Sequence, residues 1–404
     1  MRNKKLSATK LVYIFAFALY VGCYFVSAYN RFKIFGIEYV ALAALWFVGA
    51  LDIVARRKGI LNKTINYFSQ CTNIIKMTCV LGGISLIFQL IHFHFNAALI
   101  KQVIFLAFPA ITVMLICNTK EYLIEDYFNI VLIGAVVFFF AYFSKKLSWD
   151  LLNKLITQMN FLESYSPFEI GTTSIADIFF FCTVYFGHKK KYVRMGIAAV
   201  FGVLSFKRFI VIAIAICVLL SLIKAPKKRN GQRKLSKKIP RKLIWATIII
   251  VLCIPLVMQA LISDSAMRYL SDVVGMDINA FAKGRFRLME YIMEVRPTNY
   301  GLGTIASYMS QSSKAAIVQA GNVHNDLFRL LYETTFLGLS TFVYYFVKNT
   351  NRDLKTFILT VFFLVNLAIS NSLTNFMPVL LFNLLCCDFL INEKNTQQEM
   401  PRAA

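Results

Sequence analysis

The sequence has 404 residues, of which 58% are hydrophobic and only 16% charged, and it contains 38 phenylalanines. Soluble domains are nearer about half apolar and a quarter charged, so this composition argues against an ordinary soluble protein and indicates a membrane protein. The formal net charge is +24. The basic residues concentrate in alternate loops between apolar segments, which is the positive-inside pattern of membrane proteins and not that of a nucleic-acid-binding protein.

Apolar segments of about 17–22 residues recur along the chain, long enough to cross a hydrocarbon core of about 30 Å as helices. We therefore predict an all-α polytopic membrane protein with about twelve transmembrane helices. The predicted spans are residues 9–29, 35–55, 74–92, 98–117, 124–143, 174–187, 192–206, 208–223, 243–262, 328–347, 356–372 and 376–391.

The basic loops orient these spans with the N- and C-termini in the cytoplasm. The resulting divisions are spans 1–5 (1–143), a first outer loop (144–173), spans 6–9 (174–262) with a basic cytoplasmic loop (224–242), a large outer loop (263–327) between spans 9 and 10, and spans 10–12 with a cytoplasmic tail (328–404). The basic loop is interpreted as a topology determinant, with an anionic-lipid or nucleic-acid site as the alternative.

Arginines in the large outer loop run against the orientation rule. The stretch GRFRLMEYIMEVRPTNYGLG contains Arg285, Arg287 and Arg296 in or beside a predicted short helix that ends at Pro297. Leu288, Tyr291, Ile292 and Val295 would form its apolar stripe. Guanidinium groups bind phosphate oxygens in a bidentate manner. The alternative is that these arginines pair with Glu290, Glu294 or lipid headgroups.

Two further polar positions fall at the outer membrane boundary. Arg208 follows Lys207 at a predicted tight turn between two short spans, where it either marks a functional site or snorkels to the interface. His324 lies where the large loop enters span 10, in GNVHNDLFRL. Alone, His324 could be a packing or capping residue and Asp326 a simple helix N-cap. His92 and His94 lie at another outer end and would point apart on a helix, which argues against a metal site.

The stretch VHNDLFRLLYETTFLGLS resembles the outer-loop signature of bacterial O-antigen polymerases and O-antigen ligases. That signature is His-Asn, nine residues, Gly, two residues, and a small residue. Here His324 and Asn325 begin the pattern, Thr335 replaces the first glycine and Gly338 matches the second. The superfamily also has an Arg, fifteen residues, Gly motif, which Arg285 to Gly301 match in spacing, and an arginine at an outer helix turn, matched by Ser205 to Arg208.

The resemblance implies a glycosyltransferase of the lipid-linked-donor (GT-C) class that uses an oligosaccharide on undecaprenyl pyrophosphate. Polymerases of this family, the Wzy type, join repeat units into O-antigen, capsule or exopolysaccharide, whereas the ligases transfer the finished chain to lipid A–core. HNDLFRLLYE resembles the polymerases more closely. The implied location is the bacterial cytoplasmic (inner) membrane, with the active site facing the periplasm or exterior.

Fixed positive charge suits the departure of a diphosphate, so Arg208 and Arg285 are predicted to hold it. His324 is predicted to accept the proton of the acceptor hydroxyl; alternatively it binds the diphosphate and Glu290 or Glu163 is the base. The further predicted substrate-binding residues are Lys207, Arg287, Asn325, Asp326, Gly301, Arg296 and Glu290.

No cofactor is expected. The outer face has no Asp-x-Asp signature, and the nine cysteines show no metal-binding spacing, so catalysis is predicted to be independent of metal. The expected partners are the lipid-linked donor and acceptor, membrane lipids, and the chain-length regulator and flippase of the same pathway, without nucleic acid. The competing hypotheses are an O-antigen ligase and, from another class, a polysaccharide flippase or transporter.

Overall fold

A computed structural model describes residues 8–29, 36–55, 68–117, 123–144, 174–205, 207–222, 239–282, 284–295, 300–311, 323–348, 350 and 354–398. These residues contain α-helices and one short 3₁₀ helix, Ser372–Thr374, and no β-strand. In chain order the α-helices are Ala8–Tyr29 (α1), Ile37–Ala55 (α2), Ser69–Ile91 (α3), Ala98–Ile116 (α4), Ile124–Phe143 (α5), Ser174–His188 (α6), Tyr192–Leu204 (α7), Arg208–Leu222 (α8), Arg241–Leu261 (α9), Asp264–Val274 (α10), Ile278–Phe281 (α11), Arg285–Val295 (α12), Thr304–Gln311 (α13), Asp326–Val347 (α14), Leu354–Ile369 (α15) and Phe376–Gln398 (α16).

Six of these helices are long and apolar enough to cross a membrane, namely α1 to α5 and α9. Five shorter apolar helices lie within α6, α7, α8, α15 and α16. Large apolar side chains of the long helices face outward; Phe15 of α1 and Ile250 of α9 are 71% and 62% exposed. Lipid covers such surfaces in a membrane protein. The protein is therefore a helical membrane protein, as the composition predicted.

Each of the twelve predicted spans coincides with one helix, whose ends lie within five residues of those predicted except at the end of α16. That all twelve helices cross the membrane stays a prediction. The large outer loop also forms short helices α10, α11 and α13, which the sequence analysis did not predict. Helix α10 shows ordinary capping, with Ser263 accepting a hydrogen bond from the Ala266 amide and Gly275 ending the helix in the left-handed conformation.

The chain packs into two compact units. The first comprises Met1–Phe68, Ile111–Lys227 and Leu380–Ala404, and the second comprises Ser69–Ala110 and Lys228–Val379. In the first unit, α1 packs on α2 and α5, and α6 packs on α5, α7 and α8. Stacked aromatic rings fill its core, for example Phe128 on Tyr185 with ring centroids 4.1 Å apart.

Helix α14 is the centre of the second unit, where it packs against α3, α9, α13 and α15. Near the C-terminal end of α14, the buried Gln70 side chain donates a hydrogen bond to the Phe346 carbonyl at 3.3 Å. Near its N-terminal end, Gln259 of α9 donates to the Tyr332 hydroxyl at 3.2 Å. The N-terminal end of α14 therefore lies beside the C-terminal end of α9, so these two helices run antiparallel.

Polar contacts of the first unit also group helix ends in the way that alternating spans require. At the ends predicted to be cytoplasmic, ion pairs join Lys10 to Asp126, Arg194 to Glu125, and Lys189 to Asp388. At the ends predicted to be outside, Lys207 pairs with Asp177 and Tyr24 shares a hydrogen bond with Ser174. None of these pairs joins an end predicted inside to one predicted outside.

Candidate functional site

Helix α12 carries Arg285 and is held by an apolar face that the sequence analysis placed only in part. Phe286, Met289 and Ile292 are buried in one cluster with Ile305, Met309, Val323 and Phe328. The predicted stripe was correct for Ile292, whereas Leu288 and Tyr291 are only partly buried at its edge. The Val295 side chain lies outside the described residues. The buried face of α12 is therefore rotated from the predicted stripe by about one residue position along the sequence.

Arg285 is in helical register with the buried Met289 and Ile292, whereas Arg287 and Glu294 lie on the opposite face of α12. Arg285 is half-buried in the first turn, and Glu290 is half-buried further along the helix. Arg287 and Glu294 are exposed. Arg296, Glu163 and most of the two loops at 144–173 and 224–242 lie outside the described residues. Of the predicted outer-loop cations, Arg285 and Arg287 thus both lie on α12, and Arg285 is the one that is half-buried.

His324 lies in a turn that leads directly into α14. Its φ is +52°, in the left-handed region, and its side chain is half-buried. The next residue, Asn325, is the N-cap of α14; its Oδ1 accepts a hydrogen bond from the Phe328 amide at 2.9 Å, and its Nδ2 donates to Met258 Sδ at 3.0 Å. The alternative interpretation of Asp326 as the cap is wrong, because Asn325 occupies that position.

The second unit brings the elements of Arg285 and His324 into one packed cluster. Val323, which precedes His324, is fully buried and belongs to the same apolar cluster as Phe286, which follows Arg285. Interiors pack densely and transmit small displacements. The relative placement of the Arg285 helix and the His324 turn is therefore set by a continuous apolar core.

Asp326 is buried, with 1% of its surface exposed. Its Oδ2 accepts a hydrogen bond from the Leu373 amide at 2.8 Å, its Oδ1 lies 3.0 Å from Nη2 of Arg329, and its own amide donates to the Ser370 carbonyl at 3.1 Å. These contacts fix the turn around the short 3₁₀ helix against the start of α14. They give Asp326 a structural role, and its direct contact with substrate stays a prediction.

Arg329 and Glu333 belong to the same region and were not predicted. Both are almost fully buried, and Arg329 Nε lies 3.9 Å from Glu333 Oε2. Glu333 Oε1 accepts a hydrogen bond from the Ile305 amide, and the Glu333 carbonyl accepts one from the Gly301 amide, each at 3.0 Å. The spacing of Asp326, Arg329 and Glu333 places them on one helical face, and this spacing was visible in the sequence.

Gly301 is placed by backbone geometry. Gly301 and Gly303 have φ of +91° and +89°, and a Cβ on either would lie 2.8 Å from atoms of Ser85 or Ala98. Between them, the Leu302 amide donates to Ser85 Oγ at 3.1 Å. Gly301 is buried. Because it has no side chain, it allows a close approach of the outer loop to α3. Its predicted role in substrate binding stays a prediction.

Thr335 interrupts α14. Its φ of +62° and ψ of −177° are not helical and are strained for a β-branched residue. A Cβ on Gly338 would collide with the Thr334 side chain. The resemblance expected glycine at position 335, and a positive φ is the conformation for which glycine is favoured. The replacement of the expected glycine by Thr335 therefore affects the backbone conformation at the kink in α14.

Lys207 and Arg208 lie in the first unit, at the start of α8, and both are half-buried. Lys207 Nζ lies 3.0 and 3.3 Å from the two carboxylate oxygens of Asp177, which is itself buried. This ion pair compensates the Lys207 charge within the protein, which makes Lys207 a weaker candidate for substrate binding. Arg208 and the residues of α12 and α14 belong to different units, so their joint action stays a prediction.

His92 and His94 lie in the turn after α3 and do not point apart as predicted. Both rings contact Tyr300, with centroids 4.7 and 5.3 Å away. The prediction assumed a helix through this stretch, but α3 ends at Ile91 and Phe93 has a positive φ. In the part of the chain that the structure describes, no group of three or more His, Cys, Asp or Glu side chains is arranged to hold a metal ion.

No protein-family model and no curated protein matches the sequence. The short motifs around Arg285 and His324 therefore carry the resemblance to the polymerases and ligases by themselves. The geometry described above is the second, independent source of information on this region.

Proposed function

We propose that this protein is a glycosyltransferase of the GT-C class that polymerises oligosaccharide repeat units carried on undecaprenyl pyrophosphate. The observation that carries the proposal is the shared apolar cluster, in which the helix of Arg285 packs with the turn of His324. A cation and a proton acceptor on elements fixed to one another are what such a transfer requires. The antiparallel arrangement of α9 and α14 supports a site at their shared end.

In the proposed reaction, an acceptor hydroxyl attacks the anomeric carbon of the donor. The new bond joins the acceptor oxygen to that carbon, the bond from the carbon to the diphosphate oxygen breaks, and the diphosphate leaves with the bonding electrons. His324 accepts the hydroxyl proton. Arg285 holds the diphosphate as its charge increases, and Arg287 lies on an exposed face as a secondary contact.

The burial of Asn325 and Asp326, which follow His324, refines the proposed roles of the residues around His324. Asn325 caps α14 and Asp326 is buried, so we propose that both hold the His324 turn and do not contact the sugar. Gly301 shapes the end of the outer-loop turn. The half-buried Glu290 is the described alternative to His324 as base.

An apolar groove of about 550 Å³ in the first unit supports a lipid-linked substrate. It lies between α7 and α8, and Val211, Ala215 and Val218 line it. These residues follow Arg208 at helical spacing, so a chain in the groove would run along the face on which Arg208 lies. We propose that the groove takes part of the undecaprenyl tail.

The test is synthesis by the purified protein in lipid vesicles that contain the undecaprenyl-pyrophosphate repeat unit. A ladder of polymer from donor alone is the expected result for a polymerase. Product that forms only after lipid A–core is added would show a ligase. Movement of the repeat unit across the bilayer without a new glycosidic bond would show a transporter and would contradict the proposal.

A further inference from the structure

Helix α14 carries three charged side chains on one buried face: Asp326, Arg329 and Glu333. At most 2% of each is exposed. We infer that Arg329 is a positioning residue that couples two turns, one at Gly301–Ile305 and one at Ser370–Leu373, to the start of α14. The coupling stands on contacts alone; its consequence for the reaction rests on the proposed function.

Glu333 holds the first of these turns. Its carboxylate accepts a hydrogen bond from the Ile305 amide, and its carbonyl accepts one from the Gly301 amide. Ile305 is fully buried in the cluster that also holds the face of α12 beside Arg285. Any displacement of the Glu333 carboxylate therefore reaches the helix of Arg285 through one layer of packing.

Asp326 holds the second turn. Its carboxylate accepts the Leu373 amide, and its own amide donates to the Ser370 carbonyl. The same turn is tied internally by hydrogen bonds among the side chains of Ser370, Ser372 and Asn366. Because His324 precedes Asp326 by two residues, the position of the Asp326 backbone also sets the turn that carries His324.

Arg329 is the cation between the two carboxylates. Its Nη2 lies 3.0 Å from Asp326 and its Nε lies 3.9 Å from Glu333. A cation in the first turn of a helix is opposed by the helix dipole, so helix stability does not explain an arginine there. Without it, two buried carboxylates would share one helical face without the guanidinium that now lies between them. Removal of Arg329 is therefore expected to loosen both turns together.

The experiment measures amide hydrogen exchange in the full-length protein, comparing Arg329→Met with wild type. Exchange at Ile305 and at Leu373 should both become faster by about fivefold, the change expected when one net hydrogen bond is lost. The matched control is Gln70→Met, which removes a buried hydrogen bond at the opposite end of α14 and should leave both amides unchanged. Unchanged exchange at either amide in Arg329→Met overturns the inference.

Arg329→Lys keeps the charge but not the planar guanidinium, and it serves if Arg329→Met does not fold. It should speed exchange at both amides by less than the methionine variant would. With the lipid-linked donor, its kcat should fall by about tenfold while KM stays within about twofold, since positioning affects the transition state more than binding. Unchanged kcat overturns the role in the reaction. If the wild-type protein makes no polymer, the proposed function is overturned. Amide hydrogen exchange then still decides whether Arg329 couples the two turns.

Discussion

The backbone amide of Ile305 donates a hydrogen bond to Oε1 of Glu333 at 3.0 Å, and both residues are fully buried. This bond joins the large outer loop to the first turns of α14. The adjoining Gly301–Gly303 turn lies against α3 with almost no space between the backbones. Gly301, which ends the predicted Arg-to-Gly motif, is therefore held in place within the second unit.

Gly301→Ala should lower the free energy of unfolding, because its new Cβ would meet Ser85 and because φ is +91°. Gly275→Ala is the control, since its φ is +72° but nothing lies within 4 Å of the added Cβ. We expect Gly301→Ala to cost about 2 kcal/mol more than the control in denaturant unfolding of the detergent-solubilised protein. Equal losses would show that the turn is not closely packed on α3.

Thr335→Gly should raise the stability of the protein. A positive φ at a β-branched residue costs about 1–3 kcal/mol, and the replacement gives up only a weak hydrogen bond from the Leu337 amide at 3.3 Å. We expect a net gain of about 1 kcal/mol in unfolding free energy. Thr341→Gly, later in the same helix, should instead lose about 0.5 kcal/mol. A loss in both variants would contradict a kink held by strain at Thr335.

Lys207→Met should destabilise the first unit, because it leaves the buried Asp177 carboxylate without the ammonium that now contacts it. The expected cost is about 3–5 kcal/mol, typical of breaking a buried ion pair from one side. Lys191→Met is the control, since it removes a cation from Glu125, which is partly exposed, and should cost about 0–1 kcal/mol. Thermal unfolding in detergent measures both. Similar small losses of stability in the two variants would mean that Lys207 is again a candidate for substrate binding.

His324→Gly separates backbone strain from chemistry. Glycine suits the φ of +52° better than histidine, so the unfolding midpoint should stay the same or rise. The rate of polymer formation should nevertheless fall on the order of 10²- to 10⁴-fold if His324 is the proton acceptor. His94→Gly, at another end of the same unit that is predicted to be outside, should keep full activity. An active His324→Gly enzyme would move the role of base to Glu290 or to a residue outside the described part.

The sequence predicted the helices because runs of apolar residues of membrane length have few other stable structures in lipid. It did not predict the short helices of the outer loop, where the polar composition hides the helical spacing of apolar residues. It also did not predict that α3 ends before His92. The face of α12 shifted by about one residue, since its neighbours Ile305 and Val323 come from distant segments. Arg329 was overlooked because an arginine in a helix is usually exposed, and only tertiary contacts show that it is buried.

In the proposed function, Arg285 stabilises a departing diphosphate. Initial rates of polymer formation in vesicles, with Arg285→Ala beside wild type, test it most directly, and Arg268→Ala on the exposed face of α10 is the matched control. We expect Arg285→Ala to lose about 2–4 kcal/mol in transition-state stabilisation, on the order of 10²-fold in rate, and the control to lose none. A fully active Arg285→Ala enzyme would contradict it.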